Sequence, residues 1–319
     1  MLAAYAFVLL VAYLAVRSSL ACDEDLVVDF LLNGSSPPLL EGQLGAYLAG
    51  LIEGDGTIYV PTTPRGLDGN LSYPSIKVYF HEHDEPAALA LKGLLGHGSV
   101  YHVSGEQTVV LSFDTQAGIK DLIDLLNGHL RTPKHDALCR LVDWYRSADP
   151  LYQVECLPID LSPLYTNAWL AGFADADGSF YVYATPKRVS VSFELVQSRV
   201  DHALIDRYLP IMQAIATFLL SKLGITLATN LSGSISKRMR ARNTALAGAG
   251  VAAAYFTRFP LLTSKHLDFV AWRSVYARIL VRQAKDGEGL TDVQALKEST
   301  NSKRKVFTWD HLKTLYTRS

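Results

Sequence analysis

Six side chains carry the chemistry this sequence can be read for. Asp55 and Asp177 each close an apolar stretch with helical character, LAGLIEGDG (48–56) and LAGFADADG (170–178), and Glu53 and Asp175 stand two residues before them. Lys134 and Lys265 follow at separations of 79 and 88 residues from the two aspartates, in LRTPKH (130–135) and LLTSKH (261–266). Negative charge at a helix C-terminus is opposed by the backbone dipole, and two carboxylates held together repel. A divalent cation relieves both penalties. Hard oxygen ligands suit Mg2+, with Mn2+ as the alternative, and free carbonyls of Gly54 and Ala176 at the helix ends would add ligands. Attack of activated water on a phosphodiester is the chemistry such a centre performs. Lys134 and Lys265 would stabilise developing charge or polarise water, and Glu53 and Asp175 are assigned a supporting role.

Two helices must position these groups. Ala46, Gly50 and Gly54 recur at every fourth place, as do Ala168, Gly172 and Ala176. Positions four apart share one helix face, and a stripe without side-chain bulk lets two backbones approach closely. One helix from each half is therefore expected to pack on the other, bringing Asp55 and Asp177 together.

The rest of the chain repeats in the same order. Each motif helix (about 44–54 and 164–176) leads into a strand, and then into a second alternating strand, SIKVYFH (75–81) or VSVSFELVQ (189–197). A helix follows at about 84–95 and at 202–223, with Asp84 and Asp201 as caps and Pro86 in a first turn. Two more strands come next, GSVYHV with TVVLSF (98–113) and ITLATN with SISKRMRAR (225–242). Helices close each unit, at about 116–127 and 136–147 and at about 244–256 and 264–284. The expected organisation is an extension over 1–40, a first repeat over 44–147, a linker over 148–163, a second repeat over 164–285 and a basic tail over 286–319.

With 319 residues, 49% of them hydrophobic and 19% charged, the chain is globular rather than disordered and long enough for a sizeable core. Net charge is −1, but 21 basic and 12 acidic residues fall in 160–319, against eight basic and 14 acidic in 44–159. The C-terminal half thus suits a polyanion. Cys22, Cys139 and Cys156 are too few for a disulfide framework and lack metal-ligand spacing, which points to a reducing compartment. Residues 2–16 form an uncharged apolar run, too short for a spanning helix and without the basic start of a signal peptide.

The doubled nonapeptide, its spacing and the paired lysines resemble the LAGLIDADG homing endonucleases in their single-chain, two-repeat form, over about residues 44–285. The resemblance implies an α+β fold of two pseudo-twofold αββαββα repeats, with a saddle of antiparallel strands over DNA. It implies cleavage of a long double-stranded site to staggered ends, and metal ligation by Asp55 and Asp177. Lys265, in FPLLTSKHLDF (259–269), matches the family's active-site lysine, with Lys134 as its counterpart. Relatives encoded in group I introns imply a mitochondrial setting, or a plastid one, with residues 1–40 as an exon-derived leader. The expected protein is a monomer with no obligate protein partner.

For DNA contact, Arg238, Arg240 and Arg242 alternate along one strand beside Lys237, and a two-stranded ribbon of this kind fits a major groove. Lys187 and Arg188 occupy a hairpin tip suited to phosphates, and Glu194, Gln197 and Arg199 are expected at base edges. The acidic first repeat offers Arg65, Lys77 and Tyr79, with Tyr59, His81 and His102 nearby. HEHDE (81–85) lacks the spacing of a helical zinc site. Two alternatives remain open at this level: an RNA maturase that assists splicing of its host group I intron, and a DNA-binding relative that no longer cuts.

Overall fold

The computed structural model describes residues 40–63, 65, 72–199, 201–229, 234–285 and 287–318. The apolar run at 2–16 and the rest of the N-terminal extension lie outside these residues. Among the described residues no helix is long and apolar enough to cross a membrane. By compactness the chain forms two units, one of residues 40–177 with 309–319 and one of residues 178–308.

The first unit begins with α1 (Leu44–Asp55), which runs into β1 (Gly56–Tyr59) and β2 (Ser75–His81). Next come α2 (Glu85–Leu95), β3 (Ser99–His102), β4 (Thr108–Phe113), α3 (Gln116–Leu126) and α4 (His135–Ala148). The strands form one antiparallel sheet in the order β1-β2-β4-β3. Alternation decides its faces, as period-two strands must. Ile58, Ile76, Val78 and Phe80 are buried, while Tyr59, Tyr79 and Tyr101 are exposed. Thr115 caps α3 by accepting from the Gly118 N–H at 3.3 Å, and α2 carries Pro86 in its first turn, with Asp84 at the N-cap position making no side-chain capping bond to the helix. Gly96 ends α2 at φ 71°, a left-handed value that favours glycine.

The unit closes with α5 (Trp169–Asp177), the second motif helix. It starts later than the expected residue 164, because residues 164–166 form a separate 3-10 turn after Pro163. Asn167 then caps α5, its Oδ1 accepting from the Trp169 N–H at 3.1 Å. The C-terminal segment returns to this unit: the Leu44 and Thr317 backbones bond to Thr317 and Leu40, and the buried Tyr316 ring stacks on Tyr47 at 4.9 Å.

The second unit contains β5 (Gly178–Ala184), β6 (Val189–Arg199), α6 (His202–Asp206), α7 (Leu209–Phe218), β7 (Leu223–Thr229), β8 (Ile235–Arg242), α8 (Leu246–Arg258), α9 (Lys265–Leu280) and α10 (Gly287–Glu298). Its sheet has the matching order β5-β6-β8-β7. Phe180, Phe193, Phe256, Phe269 and Trp272 form its aromatic core, with Phe180 and Phe193 centroids 4.9 Å apart. The single helix expected over 202–223 is two. Asp201 caps α6 through the Leu204 N–H at 3.0 Å, and α7 restarts with Pro210 in its first turn, since proline lacks the N–H an unbroken helix needs.

Several basic residues of the C-terminal tail are paired within the chain. Lys303 pairs with Glu298, Lys313 with Asp310, and Arg304 reaches buried Asp268 at 2.8 Å. Arg318 binds Asp121 with both guanidinium branches. Intrachain carboxylates thus neutralise much of this segment's positive charge.

Candidate active site at the paired helix ends

Helices α1 and α5 meet backbone to backbone, as the small-residue stripes require. A Cβ on Gly50 would overlap the Trp169 carbonyl oxygen, and one on Gly172 would overlap the Tyr47 carbonyl oxygen. The arrangement is reciprocal, since Gly50 also faces Phe173 and Gly172 faces Leu51. One turn further on, a Cβ on Gly54 would overlap the Ala176 methyl and lie 3.1 Å from Asp177 Oδ2. The last turns of both helices therefore touch, and the Asp177 carboxylate lies against the end of α1. Asp55 is exposed and Asp177 half-buried, so both acids are reachable.

The inner pair of acids locks the crossing. Each reaches an aromatic donor on the opposite helix: Trp169 Nε1 donates to Glu53 Oε2 at 2.6 Å, and the Tyr47 hydroxyl donates to Asp175 Oδ2 at 2.6 Å. Glu53 also accepts from the backbone N–H groups of Arg131 and Thr132 and from the Thr132 hydroxyl, at 2.6–2.9 Å for the shortest contact of each. It is fully buried, and burial drives its pKa upward against the pull of the Thr132, Arg131 and Trp169 hydrogen bonds. Burial also lifts the Tyr47 phenol well above its ordinary pKa, and the neighbouring Asp175 charge adds to the rise. Tyr47 thus stays a neutral donor. The role expected of Glu53 and Asp175 takes a definite form, in which they fasten helix to helix away from solvent. The two aromatic partners and Thr132 were not singled out from the sequence. Tyr47 and Trp169 hold the same place in the two motifs, six residues before Glu53 and Asp175, but each bonds the acid of the other helix, and only the crossing pairs them.

Lys134 stands at the same helix end. Its Nζ donates to the carbonyls of Ile52, Gly54 and Gly56 at 2.9, 3.1 and 2.6 Å. The Gly54 carbonyl is one that a helix C-terminus leaves without an intrahelical partner, Ile52 also accepts the Gly56 N–H that closes α1, and a cation there opposes the negative dipole end. Lys134 is thereby fixed beside Asp55 rather than solvated. The Gly54 carbonyl, expected as a metal ligand, keeps one lone pair once Lys134 has taken the other.

In the second unit Lys265 repeats the local frame of Lys134. The Lys265 N–H donates to Thr263 Oγ1 at 3.3 Å, as that of Lys134 does to Thr132 Oγ1 at 3.2 Å. The His266 and His135 N–H groups each reach the preceding threonine carbonyl at 3.0 Å.

The strand faces sort the expected DNA-contact residues. Arg238, Arg240 and Arg242 pair with Ser198, Val196 and Glu194 across β6–β8, and therefore share a face with Ser179, Tyr181 and Tyr183 through the β5–β6 register. Tyr181 and Tyr183 are exposed on that face and were missed, although alternation in GSFYVYA marks them. Lys187 and Arg188 are exposed at the hairpin tip, which two backbone bonds between Thr185 and Arg188 close. In the first sheet Lys77 and Tyr79 share the outer face with Tyr59 and Tyr101, and Arg65 is exposed.

Three expected contacts are corrected. Gln197 is 2% exposed and pairs with Met239 on the opposite, core-facing side. Lys237 shares that side and forms an ion pair with Asp206. Glu194 lies on the outer face but is 8% exposed, held between Arg240 at 3.5 Å and Arg242 at 3.6 Å. Arg199 pairs with Lys237 in the strand register.

The cysteine reading is corrected too. Cys139 and Cys156 are joined in a disulfide, with Cα atoms 5.2 Å apart. With His135 they form the one group among the described residues whose spacing could hold a metal ion; HEHDE forms none.

A duplicated α+β chain, with two acids presented at the touching ends of symmetry-matched helices, has the build of a protein made from two fused copies of one catalytic half. The family comparison makes this specific: residues 48–145 and 170–276 match the LAGLIDADG endonuclease model, and the chain belongs to that family. It is 30% identical over 311 residues to the intron-encoded DNA endonuclease aI3 of Saccharomyces cerevisiae, spanning 86% of this chain and 73% of that protein. It is 24% identical to the cox1 intron-2 37.2 kDa protein of Schizosaccharomyces pombe, over 81% of this chain and 72% of that one. Among solved structures, the LAGLIDADG homing endonuclease I-GzeII in complex with its DNA target superposes with a TM-score of 0.60 at 16% identity, covering 82% of this chain and 99% of that one. That likeness establishes the shared fold.

Proposed function

We propose that this chain is an intron-encoded homing endonuclease, a monomer that cuts double-stranded DNA at one long sequence with the help of a divalent cation. The observation that carries the reading is the contact of the α1 and α5 ends, which sets Asp177 against the end of the helix that Asp55 closes. The donor set fits Mg2+ or Mn2+: two carboxylates and the Gly54 and Ala176 carbonyls, all hard oxygens. Bound there, such a cation would supply Lewis acidity toward a scissile phosphate and a nucleophile from water at neutral pH. The chain's own part is geometric and electrostatic. Lys134 holds a positive charge at the α1 end, and the Glu53 and Asp175 bridges keep the two acids in register. Lys265 is read as the counterpart of Lys134.

The DNA-binding surface is read as the outer faces of the two sheets. Arg238, Arg240, Arg242, Tyr181 and Tyr183 serve one, and Lys77, Tyr79 and Arg65 the other, with Lys187 and Arg188 on phosphates. Residues 44–147 and 164–285 are taken as the two repeats, with 148–163 between them and 286–319 after. Similarity to an aI3 endonuclease and a cox1 intron protein supports a mitochondrial intron as the gene's setting.

The reading is tested by exposing the full chain to a duplex library of randomised sites, including DNA that spans the insertion site of its own intron. In Mg2+ the expected result is a double-strand break at one long sequence, with none when the cation is chelated. A folded protein that leaves every duplex intact would overturn it.

A further inference from the structure

We propose that Cys139, Cys156 and His135 form a reversible thiol–disulfide site, which takes a low-molecular-weight disulfide as oxidant and latches the linker to the turn that carries Lys134. Cys139 lies one turn into α4, Cys156 lies in the linker 17 residues later, and both are half-buried. Their Cα separation of 5.2 Å is within the range a bridge spans without backbone movement.

His135 completes the site. Its Nε2 is 2.7 Å from the Leu157 carbonyl oxygen, an acceptor only, so Nε2 carries the proton. Nδ1 then presents a lone pair 3.7 Å from Cys139 Sγ, and Cys156 Sγ is 3.7 Å from Nε2. The linker is already seated beside this ring, since Asn127 accepts from the Leu157 N–H and donates to the Glu155 carbonyl. The thiols need no search to meet.

The chemistry balances in two exchanges. His135 Nδ1 takes the Cys139 proton, and the thiolate attacks one sulfur of oxidised glutathione. A mixed disulfide forms, and the departing thiolate takes up the proton. Cys156, deprotonated in turn, attacks the Cys139 sulfur and expels the second glutathione as a thiol. Two protein thiols are oxidised and one small disulfide is reduced to two thiols.

Lys134 immediately precedes His135 and holds the α1 end, so the latch adjoins the turn that carries Lys134. The site stands independently of DNA cleavage, and its readouts do not use cutting. The full chain is reduced, exchanged into oxidised glutathione, and followed by mass spectrometry, thiol titration and limited proteolysis. The expected product has lost two hydrogens at Cys139 and Cys156, carries glutathione nowhere but on Cys22, yields a linked peptide pair containing Cys139 and Cys156, and has no more than one titratable thiol in place of three. Cleavage by protease within residues 148–163 slows on oxidation. Cys139→Ser and Cys156→Ser stop instead at the glutathione adduct, and His135→Gln oxidises about a hundredfold more slowly at neutral pH. Three persistent thiols, a bridge through Cys22, or one-to-one Zn2+ uptake by the reduced cluster that blocks the bridge would each overturn the proposal.

Discussion

Replacing either Asp55 or Asp177 by Asn is expected to lower the DNA-cutting rate by about three orders of magnitude or more, while leaving folding and duplex binding intact. The amide keeps the size of the carboxylate but loses the charge that would hold a divalent cation. Folding should survive because neither acid is part of the buried lock: Asp55 is exposed and Asp177 half-buried, whereas Glu53 and Asp175 make the bonds between helices. Loss of one negative charge at a helix C-terminus is itself mildly stabilising. Single-turnover cutting, gel-shift affinity and thermal unfolding on the same preparations separate these effects. Unchanged cutting by either variant would remove that aspartate from the site.

The second large effect concerns the helix crossing. Gly50→Ala is expected to destabilise the fold by about 3 kcal/mol, because its methyl would overlap the Trp169 carbonyl and lie 2.7 Å from the Phe173 backbone nitrogen. Backbone cannot rotate away as a side chain can, so α1 and α5 must part. The same substitution at Gly93, inside α2 with nothing within 4 Å of the added carbon, should stabilise by roughly 0.5–1 kcal/mol through helix propensity alone. Chemical denaturation of both variants measures the contrast. If the two shift stability alike, the close crossing is wrong. Cutting should fall in Gly50→Ala even well below its unfolding midpoint, since the same displacement separates Asp55 from Asp177.

How much of this could be read from the chain follows from where each signal lives. The small residues at 46, 50 and 54 and at 168, 172 and 176 encode the crossing locally, because helical period alone puts them on one face. The acids and lysines were legible because each occurs twice in one order. The lock was not. Tyr47 and Trp169 look like ordinary core aromatics until the crossing places each against the other helix's acid. The disulfide was hidden for a related reason, since its two cysteines are brought together by the path of the linker, which no spacing rule records. Two misplacements were avoidable. Glu194 and Gln197 are three residues apart on β6, an odd interval that puts them on opposite faces of a strand, and Lys237 stands in the same relation to Arg238. Pro210 likewise marked the interruption between α6 and α7. The pairing of the tail's arginines was not legible, because Asp121 and Asp268 come from distant parts of the chain.

The most direct test of the central claim, that the paired helix ends form a divalent-cation site, is Mn2+ binding followed by electron paramagnetic resonance on the full chain bound to duplex, corrected for the duplex alone. The protein with both aspartates should take up Mn2+ that the Asp55→Asn/Asp177→Asn double variant does not. Equal uptake by the two proteins would contradict the assignment of the cation to these carboxylates.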